Sequence, residues 1–389
     1  MHKIFQKIER PITNGMQMTT RSYVTVSDAH VALAKVWIDR CDKTHAGCSM
    51  VSTTQAKRPS RLLYVGVEPS FDDICLKVVE PGTSIPRYLT LSYVWGHSKV
   101  YKLSSTTIDV MKKKIDMKLL PKTIRHAIWL TRGLGICYIW IDSLCIMQDS
   151  KDDWAQESAK MGGIYANSHC TIAARDSLNA DNGMFFTRVP FTEIENHFRT
   201  IKWNRTIDGA LVMSPLRARA WAFQERLLSR CILYLTRYGM EWECNECIAD
   251  EFNQRGILFL SALELRTAGE KRNKPSLMDA ERPVKVSLQL NISKEFFNSI
   301  KMAANKGSGC LTPEFAFHFD WLWAQLISEY SSAALTFEAD RLVAIVGVAS
   351  QIESRTGFTY VAGLWKEFLH YNLLWGLRCP WSGEWHSPM

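Results

Sequence analysis

The sequence predicts an α/β fold: a parallel sheet flanked by helices, followed by a mainly helical C-terminal module. Three observations predict it. Between residues 88 and 174, strand-like runs alternate with amphipathic helical patterns at short spacing, the order expected of a parallel sheet. The run ICYIWI at 136–141 is apolar on both faces, as a strand covered on both sides must be. Beyond Pro313, apolar residues recur at the helical period almost to the end of the chain.

In chain order, residues 1–27 are polar and Thr/Ser-rich and are expected to be poorly ordered. Residues 28–41 read as a helix capped by Asp28, with Val31, Leu33, Ala34, Trp37 and Ile38 on one face. Strands are expected at 61–67 (RLLYVGV) and 76–79. YLTLSYVW at 88–95 is rich in strand formers and stops at Gly96. Pro121 opens a helix that places Ile124, Ala127, Ile128, Thr131 and Leu134 on one face before glycines end it. The strand at 136–141 follows. Ser150 with Asp153 has the spacing of a capping box, and Trp154, Ser158, Met161 and Tyr165 share a face of the next helix. CTIAA, Cys170–Ala174, is the third strand of this alternation. Residues 218–228 read as a helix and 229–235 as a strand. Residues 264–313 are charged and turn-rich and read as a mobile insertion. The expected division is an N-terminal tail and helix (1–60), an α/β domain (61–247), a charged insertion or linker (248–312) and a helical module (313–389).

Composition narrows the function classes. The 389 residues are 47% hydrophobic and 22% charged, which excludes a disordered or low-complexity chain. The N-terminus carries charges where a signal peptide needs an apolar stretch, and no run approaches the ~18 apolar residues of a membrane span. Eleven scattered cysteines then read as reduced thiols in a cytoplasmic protein. The net charge of +8 lacks a basic run, which argues against nucleic acid as a partner.

Three stretches carry a family resemblance. They are LTLSYVWG, the block from LPKTIRHAIWL through IWIDSLCIMQD to YANSHCTIAA, and RAWAFQERLLSRCILYLTRYGMEWEC. Together they resemble the fungal heterokaryon-incompatibility (HET) domain, with its S-Y-x-W-G strand, its L-W-I-D-x-L-C-I-x-Q-D centre and its later R-x-W-x-x-Q-E. Ile139 stands where Leu is usual. The blocks LISEYSSAALTFEADRLVAIVGVAS and YVAGLW are similar to the region that follows this domain in many fungal proteins. Such proteins commonly continue into a Pro-Ser-Trp-Ser-Trp strand. This chain reads CPWSGEWHSPM there, which points to a shortened module or an incomplete chain. The resemblance implies a TIR-like sheet-and-helix core, and a role in non-self recognition and programmed cell death through a protein partner or self-association.

Several constellations could carry chemistry. Asp142 follows the central strand, at the rim where open parallel sheets bind ligands, with Asp149, Asp152, Asp153 and Glu157 close behind. The plainer reading is that these carboxylates cap turns and a helix N-terminus. Arg217, Arg219, Gln224, Glu225 and Arg226 form a charged helix beside Trp221. Arg219 would offset a partly buried Asp142, so Asp142, Glu157, Arg219, Gln224 and Glu225 are the expected polar cluster; a solvated helix face is its rival. Cys41-x3-His45-x2-Cys48 has the spacing of zinc ligands on a tight loop, and Cys244 or Cys247 of a C-x-x-C pair would complete the set. Idle buried thiols, or a redox pair at Cys244 and Cys247, are the alternatives. Cys145 has no base beside it, no phosphate-binding glycine loop is present, and the tryptophans at 321, 323, 365 and 375 read as core.

Whether the protein is an enzyme is left open by these residues. One alternative to the incompatibility role is a TIR-like hydrolase of the nicotinamide–ribose bond in NAD, with Asp142 or Glu157 stabilising the transition state. TIR enzymes carry their acid on a later helix, and no obvious match is expected after Ala174. A second alternative is an accessory or tailoring protein of a fungal secondary-metabolite pathway.

Overall fold

A computed structural model describes residues 25–48, 58–66, 74–97, 101–187, 214–258 and 313–369. The expectations for the N-terminal tail up to residue 24, for the 248–312 insertion from residue 259 onward, and for the C-terminal stretch from His370, Trp375 included, lie outside the described residues; residues 248–258 of that expected insertion carry strands of the sheet.

Helix α1 (Asp28–Thr44) buries Val31, Leu33, Ala34, Trp37, Ile38 and Cys41, the stripe its periodicity predicts. Its cap is Ser27 rather than Asp28. Ser27 is extended, and its N–H donates to Nδ1 of His30 in a capping box. The imidazole then turns its other nitrogen, 3.2 Å away, toward Glu251.

Next come β1 (Arg61–Tyr64), β2 (Cys75–Val78) and β3 (Tyr88–Ser92). Two helices follow, α2 (Ile108–Lys113) and α3 (Lys122–Gly133), and then β4 (Tyr138–Trp140). A single helical turn, α4 (Asp142–Cys145), leads to α5 (Lys151–Ala166) and β5 (Cys170–Ala174). Ser150 caps α5 by accepting from the Asp153 N–H. The Asp153 carboxylate does not complete the box; it holds Arg61 at 2.6 Å and the Met147 N–H at 2.8 Å.

Helix α6 (Ala220–Leu228) and β6 (Cys231–Thr236) complete a parallel core in the order β4-β3-β5-β6. The first crossover runs from β3 to β4 and the next two run the opposite way. Right-handed connections therefore place α3 on one face and α5 and α6 on the other. Every residue of β3 and of β5 is buried, as two covered faces require.

Both edges are antiparallel, which two-sided apolar runs alone do not announce. β1 and β2 extend the sheet beyond β4. On the far side lie β7 (Gly239–Cys244), β8 (Cys247–Asp250) and β9 (Ile257–Leu258), making nine strands among the described residues. β7 alternates Met240, Trp242 and Cys244 with Glu241 and Glu243 at period 2, although Glu243 is buried as well. Its glutamates meet Arg175 and Arg226.

After Pro313, α7 (Pro313–Ser331) and α8 (Val343–Thr356) form a second core with α6 around Phe319, Trp323, Tyr330, Ile345, Ile352 and Trp365. The helical pattern expected from Pro313 almost to the end of the chain is interrupted after α8. β10 (Tyr360–Val361) and β11 (Leu364–Trp365) make a hairpin whose two loop residues, Ala362 and Gly363, both have positive φ. Such a turn reverses the chain tightly and drops Trp365 into the core.

Candidate functional site

Three segments meet at the carboxyl ends of β3 and β4, beside the point where the crossover direction switches. The expected strand at 88–95 ends at Ser92, so Tyr93 to Gly96 leave the sheet and turn back over it. Gly96 has φ +63°, and a β-carbon there would collide with Asn179 on the loop after β5. Tyr93 is buried; its hydroxyl donates to Ser143 Oγ at 2.8 Å. Trp95 donates its indole N–H to Asp142 Oδ2 at 2.9 Å. The other Asp142 oxygen accepts the Ser143 N–H at 2.7 Å, which fixes the single turn of α4.

Arg219, immediately before α6, donates to the Tyr93 carbonyl. Six residues further on, Glu225 is buried and accepts from Ser92 Oγ, and the Tyr165 ring from α5 lies beside it. Burial pushes the Asp142 carboxyl up, and the Arg219 charge and the hydrogen bonds from Ser143, Trp95 and Tyr93 oppose that rise. Burial pushes Glu225 up to about 7, again against Arg219. One guanidinium thus serves two buried carboxyls.

Asp142, Arg219 and Glu225 are therefore brought together, but Glu157 and Gln224 are not among them. Glu157 is buried on α5 and faces the loop before β1, where it accepts from Ser60 Oγ at 2.6 Å and Lys160 Nζ at 2.7 Å. Gln224 points from α6 to α8 and accepts the Gly347 N–H at 2.9 Å. Asp149 accepts from the backbone and hydroxyl of Ser105 on the exposed surface, a turn-fixing role. The sequence reading did not single out Ser92, Tyr93 and Trp95 as members of this site. Their signal was the S-Y-x-W-G stretch itself, whose polar tips had to leave a buried strand end with a partner. Cys145 is buried and its thiol is pushed up to about 12 by burial, which disfavours the thiolate that a nucleophile needs.

A second group lies at the other end of the sheet. The last turn of α1 and the tight turn after it bring Cys41, His45 and Cys48 to Cys244 at the end of β7; their ligand atoms all lie within 4.8 Å of one another, and all four residues are buried. His45 Nδ1 is 3.4 Å from Cys244 Sγ, and Cys247 Sγ is 3.7 Å from the same sulfur. The backbone N–H groups of Glu246 and Cys247 both donate to Cys244 Sγ, at 3.4 and 3.3 Å. Hydrogen bonds from Cys247, Cys41 and Cys48 lower the Cys244 thiol, and hydrogen bonding to Cys231, Cys244 and Cys48 raises Cys41. The group can hold a metal ion.

Comparison with known proteins fits the first of these sites. Residues 88–225 match the family described as heterokaryon incompatibility protein (HET). Heterokaryon incompatibility protein 6, OR allele, of Neurospora crassa is 29% identical over 109 residues, which cover 26% of this chain and 16% of that protein. The chain therefore aligns with only a small part of this relative. No solved structure is significantly similar. The matched segment opens with β3 and closes on Glu225, so it contains every residue of the buried cluster, and residues 88–225 of this chain are a heterokaryon-incompatibility (HET) domain.

Proposed function

We propose that the protein acts in fungal non-self recognition and incompatibility-type cell death, through contact with a protein partner or with a second copy of itself, in the cytoplasm. The match of residues 88–225 to the HET family carries this reading. The cluster of Asp142, Arg219 and Glu225 is the working site within it. It ties the segments after β3 and β4 to the start of α6, so it governs the loop surface at the carboxyl rim. The sheet with its flanking helices is the TIR-like domain, and the helices after Pro313 are a separate module docked on it.

The test is overexpression of Asp142→Asn in a fungal host. The amide keeps the size of the carboxylate and an acceptor for Trp95, so circular dichroism should match wild type. Cell death should be lost. A variant that kills as well as wild type would make Asp142 structural and remove the cluster from the mechanism.

One observation favours a second reading, NAD hydrolysis. Glu225 is a helix-borne acid after Ala174, raised to about 7 at the strand ends. It would take the acid's role there, and the purified protein would release nicotinamide from the oxidised cofactor in a Glu225-dependent way. For the Cys/His group we infer zinc with a structural role, because thiolates and imidazole in a closed buried set suit that ion.

A further inference from the structure

Resting on the zinc reading, we infer that Cys41, His45, Cys48 and Cys244 hold one zinc ion in a closed site of three sulfurs and one nitrogen that fastens α1 to the antiparallel wing of the sheet, with Cys247 outside the coordination shell as a positioning residue. The four ligand atoms come from two segments some two hundred residues apart and converge inside 4.8 Å. In a tetrahedral site with Zn–S near 2.3 Å and Zn–N near 2.0 Å, neighbouring nitrogen and sulfur atoms are about 3.5 Å apart. His45 Nδ1 and Cys244 Sγ are 3.4 Å apart. The nitrogen is thus already spaced as a ligand beside that sulfur.

The surroundings are those of an ordered metal centre. Ligands need an outer layer of hydrogen bonds to fix them. Cys244 Sγ receives two backbone N–H groups from the turn that carries Cys247. The Cys48 carbonyl accepts from Arg230 at 3.1 Å, and the same guanidinium is held by Asp42 at 2.6 Å, within the segment that carries the ligands. Glu246 accepts the Gly47 N–H at 2.5 Å, and Asn245 donates to the Gly47 carbonyl at 2.8 Å, so the two ligand-bearing turns clasp each other directly. All four ligands are buried, and the six thiols at Cys41, Cys48, Cys170, Cys231, Cys244 and Cys247 are free of disulfides. A structural ion needs a closed set of four, and these residues supply it with no position left for substrate.

Cys247 is the discriminating residue. It lies 3.7 Å from Cys244 but does not belong to the group whose atoms are all mutually within reach. Its backbone N–H donates to the Cys244 sulfur at 3.3 Å, and its thiol lies beside that same sulfur.

The test is metal analysis of the full chain purified under reducing conditions without chelator. One zinc per chain is expected. Replacing it with Co(II) should give the visible bands of a tetrahedral thiolate-rich site. Cys244→Ser and His45→Ala should lose the ion, whereas Cys247→Ser should keep one per chain. Wild type that carries no zinc, and takes up neither Zn(II) nor Co(II) after chelation, would overturn both the zinc reading and the ligand set. Zinc in wild type that is lost in Cys247→Ser but kept in His45→Ala would overturn the ligand set alone. Neither result touches the cell-death reading, because no readout here is biological.

Discussion

Glu225 is the residue at which burial and charge conflict most openly. Its carboxyl is buried against Ser92 and Tyr165 and shares Arg219 with Asp142, and its ordinary value of 4.5 rises to about 7. A carboxyl raised in the folded state holds its proton while the unfolded chain gives it up. Between about pH 4.5 and 7 the folded state binds more protons, so stability falls as pH rises through that window and levels off above it. The shift corresponds to a loss on the order of 3 kcal/mol across the window. Glu225→Gln cannot titrate and keeps an oxygen for Ser92. It should therefore lose this part of the decline: denaturant unfolding at pH 5 and pH 7.5 should differ less for the variant than for wild type. An unchanged difference would mean that Glu225 is ionised in the fold at neutral pH. Burial pushes Asp142 up as well, and the Arg219 charge and the N–H donors of Ser143 and Trp95 oppose that rise. Arg219 was legible as a partner for Asp142, since a carboxylate leaving an apolar strand needs a cation. The choice of Glu225 over Glu157 was not legible, because both sit on amphipathic helices with the same local pattern.

Among elements, the crossing of α5, α6 and α8 decides how the helical module sits on the sheet domain. Gly162 on α5 faces Gly347 on α8. A β-carbon on Gly162 would lie 2.9 Å from Leu228 Cδ1 and 3.0 Å from Gly347 Cα. One on Gly347 would run into the Gln224 amide, which accepts the Gly347 N–H. Two helix backbones this close leave no room for a methyl group, and overpacked sites cost about 1–3 kcal/mol. Gly347→Ala should lower stability by about 2 kcal/mol, read from thermal unfolding. Gly133→Ala, where only the Val31 side chain is near, at 3.1 Å, should lose less. Equal losses would show that the crossing is not tight. The helices themselves were legible from their apolar stripes. That two glycines inside them mark a contact was not, since an isolated glycine in a helical pattern reads only as weakened propensity.

The whole molecule has two main cores that meet where α5 and α6 pack against α8. The larger core lies on the sheet and reaches from α1 to β8; the smaller gathers α6, α7, α8 and the hairpin. Ala220, Leu227 and Leu228 of α6 belong to the smaller core, and Trp221 packs against both. A backbone bridge between Arg219 and Ala334, and ion pairs from Arg217 and Arg226 to Glu329, tie α7 to the same helix. Because α6 cannot unfold from one core without exposing the other, the two should melt together. Tryptophan fluorescence and far-ultraviolet circular dichroism should give coincident transitions. Two separated transitions would show that the helical module stands by itself.

The order of α1, β3, α3, β4, α5, β5, α6 and β6, and which face of the long helices is buried, was legible in the sequence alone. β3 and β5 lie where strand-forming runs covered on both faces place them, and α1, α3 and α5 where the 3.6-residue period does, because such patterns are properties of a local window of chain. The motif stretches around Tyr93, Asp142 and Arg219 were legible in the same way, as polar residues at the ends of apolar runs. Only the tertiary structure decided what those residues meet. Ser92 reaches Glu225 across 133 positions, and His45 reaches Cys244 across 199. Such meetings depend on strand order and on the direction of each crossover. The entropic cost of closing a loop rises only slowly with its length, so no local pattern ranks one distant partner above another. The same reason hid the antiparallel wings, whose place in the sheet is set by the edges that β4 and β6 leave unpaired.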